Sequence, residues 1–266
     1  MTKRVFASLD VYHEAGAHSA AMNMAIDEAL LESVAVPAIR FYHWQSSALS
    51  FGYFGRFVDV ANCQGERDLV RRWTGGGIVF HGEDLTYSII IPAQDAVFTE
   101  SSAFIYATIH SALRDALSIQ GQRVELAPAA EAAVTDCENS SGADRGYNPS
   151  SCSHAPVARP TAQWPACDDG PQSCGYNRHL CFANPVQGDV IIDSRKIAGA
   201  AQRRTRAGLL HQGSIQYVDL ENGLPERFAS ELSNVRSEKS LDKSLLERAE
   251  KIAERKYGSN HWLKLR

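Results

Sequence analysis

Leu69-Val70-Arg71-Arg72-Trp73-Thr74-Gly75-Gly76-Gly77-Ile78-Val79-Phe80-His81, followed closely by Leu85-Thr86-Tyr87-Ser88-Ile89-Ile90-Ile91, reads as strand, glycine turn, strand and strand again. Upstream, the aromatic runs at residues 38–44 and 48–54 alternate in the same way, and residues 5–9 suggest a first strand. Residues 22–33 place Met22, Ala25, Ile26, Ala29 and Leu30 at helical spacing. Asn23 stands near the start as a cap, and Asn23, Asp27, Glu28 and Glu32 fall on the other face. Residues 102–119 predict a second amphipathic helix with Phe104, Ile105, Ile109, Leu113 and Leu117 inward, and residues 240–257 a charged one. Strands resume at 189–192, turn at Asp193-Ser194, and continue through 196–202 and 208–217. Strands mixed with a few helices, without regular βαβ alternation, make this an α+β chain with mixed or antiparallel sheets flanked by helices.

Residues 127–177 break the pattern. They are rich in Pro, Ser, Gly and Asp and poor in branched apolar side chains, a composition that buries too little to offset chain entropy, so a flexible insertion is expected. Four of the six cysteines, Cys137, Cys152, Cys167 and Cys174, lie there, and none of the six forms a CxxC pair. Neither a zinc site nor a disulfide framework is expected. The net charge of −4 argues against nucleic acid as a main partner. With no apolar run of about 18 residues and no secretory leader, the expectation is a cytoplasmic chain with no membrane span.

Three glycines in a row allow a backbone to approach a ligand and turn N–H groups toward it, and Arg72 adds a planar donor set. The plain alternative is a glycine-rich turn between strands. Lys196 opens the small-residue stretch Lys196-Ile197-Ala198-Gly199-Ala200-Ala201-Gln202, where an ammonium could hold a carboxylate, phosphate or acyl carbonyl; an isolated lysine there is more often exposed and idle. Cys181, in Cys181-Phe182-Ala183-Asn184-Pro185, is placed where a thiolate nucleophile could stand, although a free cysteine is more commonly a small buried residue.

Taken together these segments resemble the lipoate–protein ligase and octanoyltransferase family. The run RRWTGGGIVFH is similar to that family's RRxxGGGxVxH signature, and RKIAGAAQ followed by LLHQGSI is similar to GRKxxGxAQ…HxGS. The resemblance covers nearly the whole chain apart from residues 127–177, and implies a single catalytic domain over residues 1–266. It implies an enzyme of one of two kinds. Ligases use ATP and magnesium to make an acyl-adenylate from free lipoate; transferases take octanoate from acyl carrier protein through a cysteine thioester and need no cofactor. Both modify a lysine of a lipoyl-domain acceptor protein. The CFxxP segment before the lysine motif makes this chain most similar to the cysteine-dependent octanoyltransferases, as does the expectation that no extra C-terminal domain follows. Against that, Val-Gln-Gly-Asp-Val190 replaces the transferases' aromatic-rich run, and the intact glycine triplet suits ligases.

The resemblance implies Cys181 and Lys196 as catalytic residues. It implies Arg72, Thr74, Gly75, Gly76, Gly77, His81, Gly199, Ala200, His211 and Gly213 as substrate-binding, with no metal ligand. An ATP-dependent ligase is the alternative; a biotin–protein ligase or a non-enzymatic acyl-binding protein on the same fold are the more distant ones.

Overall fold

The computed structural model describes residues 4–14, 16–118, 123–129, 181–220 and 223–266. The expected insertion at 127–177 lies outside them apart from 127–129. An eight-stranded mixed sheet carries the structure. Its strands are β1 (Leu9–His13), β2 (Ala38–Tyr42), β6 (Leu85–Pro92), β7 (Val124–Leu126), β8 (Val190–Ile192), β9 (Arg195–Arg204), β10 (Gly208–Ile215) and β11 (Arg236–Lys239), in the order β11-β1-β2-β6-β10-β9-β8-β7. A small sheet, β3 (Ala48–Phe51) flanked by β4 (Asp68–Arg71) and β5 (Ile78–His81), stands apart from it in the order β4-β3-β5. The first strand begins at Leu9 rather than Val5: the backbone of Phe6 instead bonds to Leu232 O at 3.0 Å, and its ring is buried.

Helices cover both faces of the large sheet. On one face lie α2 (Ser102–Ser118) and α3 (Leu224–Leu232), the latter unannounced in the sequence reading. Ile105, Ile109, Leu113 and Leu117 of α2 are buried against that face, each stabilising the fold by about 1.5–3 kcal/mol; Phe104, at the exposed start of the helix, is not among them. The other face holds α1 (Ala20–Ser33) and α4 (Lys243–Ile252). A π turn (Ala253–Tyr257) follows α4, and then the short α5 (Asn260–Leu263).

The cap of α1 is Ser19, whose hydroxyl accepts from Met22 N at 3.3 Å. Asn23 and Asp27, expected on an outer face, are buried. They are there because Arg40 of β2, itself buried, donates to Asn23 Oδ1 and to Asp27 Oδ1, both at 2.7 Å, with Glu14 against its Nε. Asp27 also accepts from Ser88 Oγ and from Gln212 Nε2 at 2.7 Å each. A buried charge must be paired and fully hydrogen-bonded, and this network fastens α1 to the sheet beside the candidate site.

At the other end of β8, Asp193 (φ 48°) and Ser194 (φ 64°) form the expected two-residue hairpin turn, whose left-handed residues match the twist of the strands they join. That turn starts β9 and fixes where Lys196 points.

Candidate active site

Between the large sheet and the small one lies a cavity. Met24, Tyr42, Trp44 and Val79 supply much of its apolar lining, and Ser50, Arg72, His81, Cys181 and Gln212 its polar lining. Gly76, Gly199, Ala200 and Gly213 also face it.

One wall is the glycine loop. Gly76 has φ +83°, which only glycine adopts freely, and a Cβ on Gly52 would stand 2.1 Å from the Gly76 carbonyl oxygen, so two backbones meet with nothing between them. Arg72, expected as a donor set for a ligand, is buried and gives Nη1–H to Ser50 Oγ at 2.6 Å and Nη2–H to the carbonyls of Gly75 and Gly77 at 3.0 and 2.8 Å. From Ser50 the bonds run on in one direction: Ser50 O–H to His81 Nε2 (2.6 Å), then His81 Nδ1–H to Asp84 Oδ2 (2.8 Å). Asp84 also accepts from Thr86 and Ser214 hydroxyls at 2.8 and 2.7 Å. Burial alone would raise its pKa, but His81 and these hydroxyls hold it below the usual carboxylate value. Trp44 stacks on His81 with centroids 4.0 Å apart. Thr74 ties the loop down through Gln212 Oε1 at 2.7 Å.

The opposite wall is β9 with the segment before it. Lys196 is buried, with its Nζ 2.8 Å from Asp189 Oδ2, 2.9 Å from the Cys181 carbonyl oxygen and 3.5 Å from Cys181 Sγ. It is therefore no idle surface lysine. Asp189 is wholly buried and also accepts from Tyr106 O–H at 2.5 Å and Val186 N–H at 2.6 Å. Gly199 makes room for this: a Cβ there would come within 2.4 Å of Lys196 Cε and 2.5 Å of Nζ. Cys181 is held in place by its N–H on Ile78 O at 2.9 Å, which joins it to the far end of the glycine loop. Burial pulls the Arg72 guanidinium below its ordinary pKa, and the nearby Cys181 in thiolate form opposes that pull.

His211 does not reach the cavity lining among the described residues. It lies in a closed chain on the opposite side of β10: Gln202 Nε2–H to His211 Nδ1 (3.0 Å), His211 Nε2–H to Tyr87 Oη (3.4 Å), Tyr87 O–H to His110 Nε2 (3.2 Å), His110 Nδ1–H to Gly188 O (2.6 Å). Such a chain needs both imidazoles neutral. Burial accordingly lowers the His110 pKa to about 4 and puts that of His211 well below its usual value. Gly213 admits the Tyr87 ring, which a Cβ would meet at 2.3 Å.

Of the residues named from sequence, the structure brings Arg72, Gly76, His81, Cys181, Gly199, Ala200 and Gly213 to one cavity, with Lys196 against Cys181. Thr74, Gly75 and Gly77 support the loop from behind. Sequence reasoning missed Ser50, Asp84, Tyr106 and the pairing role of Asp189; the carboxylates at Asp84, close after His81, and Asp189, just before β8, were the available signals. Among the described residues, no group of three or more His, Cys, Asp or Glu is placed to hold a metal ion. No described helix is long and apolar enough to cross a membrane.

The largely apolar cavity thus has a thiol and an ammonium at one wall and a glycine loop at the other. Residues 19–246 match the lipoyl protein ligase A/B catalytic domain, and the chain belongs to that family. Among its relatives, octanoyltransferase LipM of Bacillus cereus is 31% identical over 221 residues, covering 79% of this chain and 66% of the relative. The Brevibacillus brevis octanoyltransferase LipM is 28% identical over 207 residues, covering 75% and 62%. The chain thus spans less than two thirds of the length of these relatives. In fold, it matches a lipoate-protein ligase A solved with ATP bound at a TM-score of 0.64 and 18% identity, over 97% of this chain and 98% of that one. Protein Ta0514 of T. acidophilum with bound lipoic acid matches at 0.62 and 17% identity, over 98% and 99%.

Proposed function

We propose that this chain is a cytoplasmic acyltransferase that moves an octanoyl group from a carrier-protein thioester to a lysine of a lipoyl-domain protein, with Cys181 carrying the acyl group in between. The observation that carries this reading is the Cys181 thiol 3.5 Å from the Lys196 ammonium at the wall of a largely apolar cavity. The similarity to octanoyltransferases supports it.

In the first step Cys181 Sγ, as thiolate, attacks the thioester carbonyl carbon. A new C–S bond forms, the carrier's C–S bond breaks, and the carrier thiol leaves with the proton that Cys181 gave up. In the second step the neutral amine of the acceptor lysine attacks the same carbon, the Cys181 thiolate leaves, and the surplus ammonium proton returns to it. The products are an amide and a free thiol, with no change of oxidation state. A thiolate is both a good nucleophile and a good leaving group, so two easy steps replace one hard one.

Lys196 has a distinct part in each state. Asp189 pairs with its ammonium and aims it; the N–H that faces Sγ in the free enzyme is the one available to the carbonyl oxygen as charge builds there. The apolar walls formed by Met24, Tyr42, Trp44 and Val79 suit a medium-length alkyl tail.

A ligase reading has one feature in its favour: the intact glycine loop and the Lys196 ammonium could hold an acyl-adenylate formed from ATP, magnesium and free lipoate. In that reaction Cys181 has no part. The two are separated by incubating the full chain with octanoyl-carrier protein and no acceptor, then measuring its intact mass. The proposal expects one hydroxylamine-labile octanoyl adduct on Cys181. An unmodified chain that still acylates acceptor when ATP and lipoate are supplied would replace it with the ligase.

A further inference from the structure

Three non-glycine residues among those described have left-handed backbone: Asp193, Ser194 and Tyr217. The first two form the β8–β9 hairpin, where that conformation is required. Tyr217 has no such excuse. A bulky side chain at φ 64° is costly, and such strain persists where the surroundings enforce it, often at functional sites. Here Gln216 enforces it, with its N–H on Ile197 O at 2.8 Å and its side-chain amide on Phe80 O at 3.0 Å.

The Tyr217 ring points outward, 58% exposed. The ring lies under the Arg195 guanidinium at 3.5 Å and meets Phe182 edge to face, centroids 6.3 Å apart at 81°. Phe182 is the residue after Cys181, and Lys196 Nζ lies 5.4 Å from its ring. An exposed aromatic, braced by a cation and abutting the nucleophile's neighbour, thus forms a rim beside the thiol.

We propose that Tyr217 and Phe182 grip the flexible arm by which the donor carrier presents its acyl thioester, with Arg195 holding the Tyr217 ring in place. The assignment rests on the transferase reading above. Phe182 follows Cys181 directly and its ring lies 5.4 Å from Lys196 Nζ, so the two rings stand next to the thiol that would receive the acyl group. Rigid aromatic faces suit an extended arm of methylenes and amides, since they supply contact area at little cost in side-chain freedom. Burying polar groups of an acceptor's folded surface is a different task, for which this two-ring rim is small.

The test compares two octanoyl donors, the carrier protein and S-octanoyl mercaptoethanol, which lacks the arm, in wild type, Tyr217→Gly and Tyr217→Phe. We expect Tyr217→Gly to lower the carrier-to-mercaptoethanol ratio of kcat/KM about tenfold, mainly through KM for the carrier. Its Tm should be no lower than that of wild type, because glycine relieves the backbone strain. Tyr217→Phe, which keeps the ring, should restore the ratio. An unchanged ratio in an active Tyr217→Gly overturns the assignment alone. A lowered Tm together with equal losses on both donors overturns it in favour of a structural role. A wild type that accepts acyl from neither thioester removes the transferase reading and the assignment with it.

Discussion

The two walls of the cavity each depend on a glycine, and the two glycines differ in what they face. On the loop wall, Gly52 faces backbone: an added Cβ would meet the carbonyl oxygens of Gly76 at 2.1 Å and Gly75 at 2.6 Å, and neither can move without the loop moving. On the opposite wall, Gly199 faces side chains, the Cε and Nζ of Lys196 and the carboxylate of Asp189. The polar groups follow the same division. Ser50, Arg72, His81 and Asp84 satisfy one another in a directed chain. Lys196 is shared between a carboxylate and a thiol that has work to do. A closed chain of buried donors and acceptors is scaffolding; a cation poised against a nucleophile is chemistry. The first wall is expected to report in stability and the second in rate.

Cys181→Ala should give the largest effect, a loss of carrier-dependent transfer of at least about a thousandfold, since it removes the nucleophile. Its Tm should hardly move, because the thiol is only half-buried, and steady-state transfer beside a melting curve checks both. Lys196→Met should lower transfer about a hundredfold or more, as expected for loss of a donor to a developing oxyanion. It should also cost some stability by leaving Asp189 buried without its cation. The pair of glycines makes the sharper comparison. Gly199→Ala should cut kcat about tenfold or more while the fold holds, because the side chains of Lys196 and Asp189, rather than backbone, have to shift. Gly52→Ala should lower Tm markedly, because backbone has to shift. If Gly199→Ala proves as unstable as Gly52→Ala, the division between the walls is wrong.

The histidines behind the sheet affect stability alone and not the chemistry. His110 has its pKa lowered to about 4 by burial, so the folded state refuses a proton that the unfolded chain takes up near pH 6.5. Between those values the unfolded chain binds more protons, and stability must fall as pH falls. The loss is on the order of 3 kcal/mol across that window from His110, and His211, lowered in the same way, adds to it. Denaturant melts between pH 7 and pH 4 should show it, with a smaller slope in His110→Gln.

Much of this was legible in the sequence, and the rest was hidden for identifiable reasons. The runs at 69–91 and 189–217 announced the strands that frame the cavity, and Asp193-Ser194 announced the turn that aims Lys196. The faces of α1 were misread because Asn23 and Asp27 are polar yet buried; their partner, Arg40, lies on another strand, and one-dimensional spacing cannot show such a pairing. His211 looked like a ligand group for the opposite reason: a strand alternates sides at every residue, and which side of β10 faces the cavity depends on the whole sheet. Arg72 was legible as a donor but not as one already engaged by Ser50 and the loop carbonyls. The strain at Tyr217 has no signature in sequence at all.

The central claim, acyl transfer through a Cys181 thioester, is most directly tested on the acceptor. The full chain is incubated with an apo lipoyl domain and either octanoyl-carrier protein without ATP or free lipoate with ATP and magnesium, and the acceptor's intact mass is recorded. The account predicts an octanoylated lysine from the first supply, absent with Cys181→Ala. Modification only from the second supply, and undiminished in Cys181→Ala, would contradict it.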